Sequence, residues 1–288
     1  MKGGDVVILG ALRALSRAGA LDGSQIIVVF TGDEEEPGRP TELSRAALVD
    51  AGKRSDLALA FEPAIGGTAT VARRGTSVWT LEVQAATGHS SGIFGEGLGS
   101  GAIFEAARIL TRFHDELRET YLTYNPSLIL GGSELQHDPG KSRGSAGGKT
   151  NVVADRAVVV GDLRFISEAQ RELAKVRMRD IAAASLPGAS AGVTFRDGYP
   201  AMEPAERNLA LLRALDEVSQ DLGFGPITAL DPGARGAGDV SFVAPMIASL
   251  DGLGAGGARS HTVEETIDLD TLPRQIKRAA VLIYRLTR

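Results

Sequence analysis

Two short, wholly apolar runs constrain the fold of this chain more than any other feature of its sequence. Residues 26–30 and 57–61 contain only aliphatic and aromatic side chains. A continuous apolar run of this length predicts a strand that is buried on both faces of a parallel sheet. Amphipathic helix patterns over residues 5–18 and 41–51 precede and follow the first run. The order helix, strand, helix, strand predicts a layered α/β domain.

The middle of the chain follows a different pattern. Residues 77–85 alternate between apolar and polar side chains, which is typical of a strand with one buried face. Residues 136–149 are polar and glycine-rich, which predicts a loop. Short apolar strand patterns return in the last third of the chain. We therefore predict an α/β domain formed by residues 1–73 and 199–288, interrupted by an inserted α+β domain over residues 74–198.

The composition is that of a globular protein. Hydrophobic residues make up 43% and charged residues 23% of the chain, which excludes wholesale disorder. No apolar stretch approaches the ~18 residues of a membrane-spanning helix, so we expect no membrane partner. The net charge of −5 and the absence of a long basic run argue against a nucleic acid partner. The sequence shows no signal peptide pattern, so we expect a cytoplasmic protein.

Carboxylates follow both apolar runs directly. Residues 33–36 are Asp-Glu-Glu-Glu, and Glu62 follows the second run. A run of charges is usually a solvated surface segment, and a lone glutamate at a strand end is usually a loop residue. Both positions nevertheless lie at the carboxyl edge of the predicted sheet, where ligands bind in open α/β sheets. Carboxylates gathered at such an edge need a cation or a retained proton, so a cation site and a solvated surface are the alternatives.

Any metal in this chain must bind to histidine and carboxylate side chains, because the chain contains no cysteine. His89 and His261 each lie in a glycine-rich loop, and neutral imidazole is a natural zinc ligand. Such a loop can equally be a plain turn. His114 and His137 lie in charged or polar segments, and we expect both to be exposed.

Five segments resemble, in order, the motifs of one enzyme family. They are Met1-Lys2-Gly3-Gly4 with its helix, Thr31-Gly32-Asp33-Glu34-Glu35, Phe61-Glu62-Pro63, Gly88-His89-Ser90-Ser91, and Gly238-Asp239 with the segment from Gly256 to Thr262. Each motif alone is moderately specific, but the ordered set covers nearly the whole chain. The chain therefore resembles the dinuclear zinc amidohydrolase and exopeptidase family, which includes acetylornithine deacetylase, succinyl-diaminopimelate desuccinylase, aminoacylase and glutamate carboxypeptidase.

The resemblance implies a zinc-exopeptidase-like layered α/β catalytic domain in residues 1–73 and 199–288. It implies that residues 74–198 form an α+β lid and dimerisation domain, so that the protein is a homodimer through the lid. The implied activity is hydrolysis of an amide or peptide bond, of the N-acyl amino acid deacylase or carboxypeptidase and dipeptidase type. The implied substrate is a small N-acyl amino acid or peptide.

The resemblance also implies roles for individual residues. Glu34 would be the general base, Glu35 would bind one metal and Glu62 the other, and His261 would complete the protein ligands of one metal. The metals would be two Zn²⁺ ions, with Co²⁺ or Mn²⁺ as alternatives. Such ions would lower the pKa of a bound water towards ~7 and so would supply the nucleophile.

Three residues of the predicted lid complete the implied site. His89, which in many relatives reaches the partner subunit's site, would polarise the scissile carbonyl. Asn151 and Arg164 match lid positions that hold the substrate carboxylate in relatives, and the planar guanidinium group suits that task. An arginine on a strand is, however, more often a surface residue.

The family pattern includes two further ligands that this sequence lacks. One is a histidine in a His-x-Asp motif, and the other is an aspartate directly before Met-Lys-Gly-Gly. We therefore expect a catalytic domain that is incomplete at its N-terminus and a chain of impaired activity. Two alternatives stay open. The chain is a non-catalytic fragment that acts as a dimerisation or binding module, or it is a structural α/β protein whose acidic cluster is only surface.

Overall fold

The computed structural model describes residues 2–288, so the first residue of the Met-Lys-Gly-Gly motif lies outside the described residues. The chain divides into two compact units. The terminal unit contains the chain up to Arg74 together with Ala201–Arg288, and the central unit contains Gly75–Pro200. The sequence places the corresponding boundaries after residues 73 and 198. No helix in the described part of the chain is both long and apolar enough to cross a membrane.

Both units contain helices and strands, which confirms the mixed α/β class. The helices are α1 (Lys2–Arg17), α2 (Thr41–Ser44), α3 (Ala46–Lys53), α4 (Gly101–Glu116), α5 (Glu168–Ala183), α6 (Glu206–Asp221) and α7 (Thr271–Leu286). The strands are β1 (Leu57–Leu59), β2 (Thr68–Ala69), β3 (Gly75–Ala85), β4 (Thr123–Gly132), β5 (Glu134–Asp138), β6 (Arg143–Gly147), β7 (Arg156–Phe165), β8 (Ala189–Asp197), β9 (Thr228–Ala229), β10 (Ala248–Leu250), β11 (Gly257–Ala258) and β12 (Thr266–Ile267).

The terminal unit consists of short strand pairs that are covered by helices. β1 pairs with β10 and β2 pairs with β9, both in parallel. Leu211 and Leu215 of α6 pack with Leu250 of β10 and Leu282 of α7 in one apolar cluster. A second cluster joins α1 to α7. This packing fixes the carboxyl edge of β1 and β10 against the helices behind it.

The apolar run at residues 26–30 is not a strand, so that prediction is wrong. Within residues 2–288 no segment pairs with it, and Val28 and Phe30 are 39% and 57% exposed. A strand depends on hydrogen bonds to a neighbouring backbone and on burial of its side chains, and this run has neither a ladder nor a covered face. The second run does form a strand, β1, which is confirmed by its parallel pairing.

The central unit is a four-stranded antiparallel sheet in the order β4-β7-β3-β8, with α4 and α5 packed on one face. Trp79 and Leu81 of β3 are fully buried on that face. The ring of Trp79 meets Phe113 of α4 edge-on, with ring centroids 5.8 Å apart. Alternation of apolar and polar residues along β3 is therefore the signal of one helix-covered face.

Residues 136–149 were predicted as a loop, but they form most of a hairpin, β5 and β6. Leu135 packs against Val158 on the sheet face opposite the helices. All five residues of β6 are exposed, so the sequence of this strand carries no apolar pattern. His137 consequently lies half-buried on β5 rather than in an exposed loop, while His114 is exposed on α4 as predicted.

Candidate active site

The carboxyl ends of β1 and β10 meet at one edge of the terminal unit and carry an acidic pair. Leu59 lies opposite Leu250 in the parallel register, so the residues that follow these strands come together. The backbone N–H of Glu62 donates a hydrogen bond of 3.3 Å to Oδ1 of Asp251. Sequence reasoning missed Asp251, although it carries the signal that identified Glu62. It is an acidic residue directly after the apolar strand pattern of residues 246–250.

A buried ion pair holds Asp251 in place. Asp251 is fully buried and Arg73 is 3% exposed, and Nε of Arg73 lies 2.6 Å from Oδ2 of Asp251. Nη1 of Arg73 donates to the backbone oxygens of Gly236 and Ala237. These hydrogen bonds offset the cost of removing two charges from water. The pair thereby joins the end of β10 to the segment that leads to Asp239.

Arg45 holds the loop that carries Glu34. Its side chain is fully buried at the break between α2 and α3, where a single helix over residues 41–51 was predicted. Nη1 of Arg45 lies 2.7 Å from Oδ1 of Asp33, and Nη2 lies 3.1 Å from the backbone oxygen of Asp33. Nε donates to Oδ1 of Asp239 at 2.8 Å. Arg45 therefore ties the acidic loop to the turn at Asp239.

The same contacts keep Asp33 ionised. The backbone N–H of Gly38 and the guanidinium group of Arg45 hold the pKa of Asp33 below its ordinary value, against the opposing effect of burial. Asp33 thus acts as the fixed counter-charge of Arg45. The carboxyl groups of Glu34 and Glu35, which follow Asp33 in this loop, interact with other groups.

Glu34 and Glu62 hold protons more tightly than ordinary glutamates. Burial, followed by the charges of neighbouring carboxylates among which Glu62 acts most strongly, raises the pKa of Glu34 to about 7. Burial and the charge of Asp251 also raise the pKa of Glu62, opposed by two nearby arginines. Glu34 and Glu62 therefore share one electrostatic environment. A carboxyl group whose pKa lies near 7 can take up and return a proton at neutral pH.

Glu35 and His261 form a second pair. Nδ1 of His261 lies 3.7 Å from Oε2 of Glu35, and both side chains are largely exposed. These donor types suit zinc. Across residues 2–288, however, no three His, Asp or Glu side chains are grouped closely enough to hold a metal ion. The structure brings Glu35 to His261 and Glu34 to Glu62, but it does not complete a metal site from these groups.

In the central unit, His89 and Asn151 lie side by side. The N–H of Ser90 donates to the backbone oxygen of Asn151 at 2.9 Å, and His89 forms a β-bridge with Val152. His89 is exposed, and its Nδ1 accepts a hydrogen bond of 3.2 Å from the N–H of Ser91. Because a backbone N–H can only donate, this hydrogen bond favours the tautomer of the neutral imidazole that carries its proton on Nε2. Oγ of Ser91, which lies 2.9 Å from Nδ1, then donates to the same nitrogen. Nε2 of His89 is therefore a hydrogen-bond donor.

Arg164 lies at the other end of the same sheet. His89 and Asn151 adjoin the start of β7, whereas Arg164 lies eight residues after Arg156, the first residue of that strand. Eight residues of extended strand span about 26 Å. Nε of Arg164 donates to Oδ2 of Asp162 at 2.9 Å. One copy of the central unit therefore does not bring Asn151 and Arg164 to a single carboxylate.

Known proteins match this chain along nearly its whole length. The sequence profile described as peptidase family M20/M25/M40 matches residues 1–285. Carboxypeptidase G2 from Pseudomonas sp. (strain RS-16) is 25% identical over 291 residues, which cover 99% of this chain and 65% of that protein. The chain thus spans less than two thirds of the length of this curated relative.

Two solved structures share the fold. Aminopeptidase PepT from Bacillus cereus superposes with a TM-score of 0.75 at 19% sequence identity, and the match covers 100% of this chain and 71% of that chain. The YXEP protein from Bacillus subtilis, described as a dinuclear metal binding peptidase from the M20 family, superposes with a TM-score of 0.67 at 17% identity. That match covers 97% of this chain and 70% of the other.

Proposed function

This chain belongs to peptidase family M20/M25/M40, and from that premise we propose that the protein containing it is a metal-dependent hydrolase of amide or peptide bonds. The observation that carries the proposal is the carboxyl cluster at the edge of β1 and β10, where the pKa of Glu34 is raised to about 7. Amide hydrolysis needs a group of this kind, because a proton must leave the attacking water and reach the departing amine.

Glu34 is the proposed general base. As a carboxylate it accepts the proton of the attacking water, and as a carboxylic acid it then donates that proton to the amine. Partial burial and then the nearby charge of Glu62 keep its proton affinity high enough for the second step. General acid–base catalysis of this type contributes about 10²–10⁴-fold to rate.

His89 is the proposed electrophile. Its Nε2–H is free to donate to the carbonyl oxygen as negative charge develops there, since Nδ1 is held as an acceptor by the backbone. Loss of one such donor typically costs about 10²–10³ in rate. This role requires a proton on Nε2 of the ring.

We propose Zn²⁺ as the metal, with Co²⁺ or Mn²⁺ as alternatives, and Glu35, Glu62 and His261 as protein ligands. The contact between Glu35 and His261 supports this assignment, because a carboxylate and an imidazole lie within reach of one ion. Bound zinc would supply a Lewis acid to the site. The donor chemistry fits zinc, whereas the positions of the described residues do not complete a three-ligand site.

A homodimer through the central unit is the proposed assembly. Ile103 and Phe104 of α4 and Ile129 of β4 are 50%, 55% and 56% exposed. The exposed ring of Phe94 lies 5.9 Å from the ring of Phe104. Exposed apolar side chains concentrated on neighbouring elements mark interaction surfaces. A second copy of the same chain would cover them.

The proposed substrate is a small N-acyl amino acid or peptide with a free carboxylate, and the proposed location is the cytoplasm. Asn151 and Arg164 are the proposed carboxylate-binding residues. Because about 26 Å of strand separates their ends of the sheet, they serve one substrate only if two copies contribute to one site. The separation therefore supports the homodimer as part of the same proposal.

The test is hydrolysis of N-acetyl amino acids and dipeptides by the zinc-supplemented protein, with zinc content measured in parallel. Glu34→Ala is expected to lower turnover by about 10²–10⁴-fold without loss of zinc, because it removes the proton carrier and no proposed ligand. Glu36→Ala is the matched control, since Glu36 is an exposed carboxylate of the same loop. Undiminished turnover by the Glu34 variant would remove it as the base.

The second candidate is a non-catalytic dimerisation or binding module. The absence of a three-donor group across residues 2–288 favours it. It predicts a dimer that takes up no zinc and hydrolyses none of these substrates. Zinc content and sedimentation of the same sample decide between the two, because a zinc-loaded, active dimer supports only the hydrolase.

A further inference from the structure

A second concave surface of the terminal unit is lined by two arginines that form no ion pair within residues 2–288. It is a cleft of about 610 Å³ between the turn at residues 64–68, the β11–β12 pair and one face of α7. Its charged lining residues are Arg274, Arg278 and Asp268, and the rest of the lining is apolar or uncharged. The two arginines lie four residues apart, so they share one face of the helix.

Arg278 is held in place by neutral partners only. Its Nε and Nη2 donate to Oγ of Ser219 at 3.1 and 2.8 Å, and Nη1 donates to Oε1 of Gln275 at 2.9 Å. Nη2 also donates to the backbone oxygen of Phe224 at 3.3 Å. Burial and the like charge of Arg274 lower the pKa of Arg278, and no carboxylate opposes them.

Arg274 is the exposed member of the pair. Its guanidinium group lies over the ring of Phe224 at 5.6 Å, and that of Arg278 lies over the same ring at 5.5 Å. Within residues 2–288, no carboxylate oxygen lies within 4.0 Å of either guanidinium group. Asp268, the acidic residue of the lining, is exposed and accepts a hydrogen bond from the N–H of Asp270.

This arrangement is costly without a ligand. Like charges at positions four apart destabilise a helix, and partial burial strengthens their repulsion. The protein carries 36 acidic and 31 basic side chains, so carboxylates are abundant, yet none in the described part of the chain forms an ion pair with these two arginines. Two guanidinium groups that line one cleft raise its positive potential, which favours binding of an anion.

We propose that this cleft binds a small organic anion, whose carboxylate or phosphate oxygens bind to Arg274 and Arg278. Ile65 and Ile267 supply an apolar wall for the body of the ligand, and the ring of Phe224 orients both cations. The anion removes the repulsion between the arginines and replaces the water around Arg274. The proposal rests on this cleft alone and holds whether or not the carboxyl cluster is catalytic.

The test is isothermal titration of the protein with benzoate, phenyl phosphate and the neutral analogue benzyl alcohol, at constant ionic strength. One or both anions are expected to bind saturably, and benzyl alcohol is not. The stronger of the two anions identifies the ligand as a carboxylate or a phosphate. No saturation by either anion up to about 10 mM would overturn the proposal.

Arg274→Gln is the deciding variant, because Arg274 is exposed and its loss leaves the hydrogen bonds of Arg278 intact. It is expected to weaken anion binding by about tenfold or more. Lys277→Gln is the matched control, since it removes the same charge from an exposed position of α7 outside the cleft. Equal binding by the two variants, with unchanged circular dichroism, would contradict a role for Arg274.

Discussion

Glu34 binds its proton more tightly in the folded chain than in the unfolded chain. Its pKa rises from an ordinary value of 4.5 to about 7, because burial and neighbouring carboxylates disfavour its charge. Between these two values the folded state retains a proton that the unfolded state has lost. The free energy of unfolding therefore falls as the pH rises through this window.

Glu34→Gln should remove this penalty in metal-free protein. Relative to wild type, we expect a gain of about 1–2 kcal/mol in the free energy of unfolding near pH 8, discounted because half of the side chain stays solvated. The gain should vanish near pH 4, where both states are protonated. Urea titrations at the two pH values measure it, with Glu36→Gln as the exposed control. A gain of equal size at both pH values would contradict the raised pKa.

Arg45→Met should destabilise the terminal unit. The variant leaves Asp33 and Asp239 without their shared cation, and we expect a loss of about 2–3 kcal/mol in the free energy of unfolding. Arg54→Met is the control, because Arg54 is an exposed arginine of the same region that pairs with Asp50, and its loss should cost under about 1 kcal/mol. Denaturant midpoints compare the two, and equal losses would refute the role of Arg45.

At the scale of single residues, the sequence shows which side chains can take part in catalysis. It does not show which other side chains hold the site in position. Glu34 and Glu62 are visible because each acidic residue follows an apolar run. Arg73 and Arg45 are not visible, because Asp251 lies 178 residues from Arg73 and Asp239 lies 194 residues from Arg45 along the chain. Long-range ion pairs leave no periodic pattern, so the fixed charges of the site emerge only from the fold.

Among the elements, β7 is tightly packed against its neighbours at Gly161. This residue lies opposite Trp79 in the β3–β7 register, and a Cβ atom there would clash with the indole ring and with the backbone oxygen of Asn125. Because the indole is fully buried and the oxygen belongs to the backbone, neither can move aside cheaply.

Gly161→Ala should therefore cost about 2–3 kcal/mol in the free energy of unfolding. Gly192→Ala on β8 is the matched control. A Cβ atom at Gly192 meets no heavy atom within 4 Å, so we expect a change within about 1 kcal/mol. Thermal unfolding of the two variants checks the difference. A tolerated alanine at Gly161 would show that β3 and β7 are packed more loosely than the structure indicates.

An element whose apolar pattern lies within its own segment is predicted well from the sequence. An element that depends on pairing with a distant strand is not. The apolar period of residues 102–117 predicts a helix, and α4 forms over Gly101–Glu116 because this period is intrinsic to the segment. Residues 26–30 have strong strand propensity but no described partner, and they form no strand. β6 has almost no strand propensity, yet it pairs with β5 because Leu135 anchors the hairpin.

For the whole molecule, the change from continuous to alternating apolar patterns predicts an inserted domain over residues 74–198, and the central unit comprises Gly75–Pro200. The structure explains why this is a natural boundary. The N–H of Thr76 donates to the backbone oxygen of Tyr199, and the N–H of Gly198 donates to the backbone oxygen of Thr76. The two chain ends of the unit are thus hydrogen-bonded neighbours, so residues 75–200 form a closed fold with its own core.

Residues 75–200 alone should therefore fold cooperatively. If this unit forms the dimer interface, the isolated unit should sediment with twice the mass of a single copy of residues 75–200. Phe104→Glu should give a monomer, because it places a charge in the apolar surface that a second copy covers. Leu173→Glu is the control, since Leu173 is 51% exposed on α5 and outside the α4–β4 surface. A folded wild-type monomer would contradict the homodimer. It would also leave Arg164 without a route to the carboxylate at Asn151, since one copy holds these residues at opposite ends of the sheet.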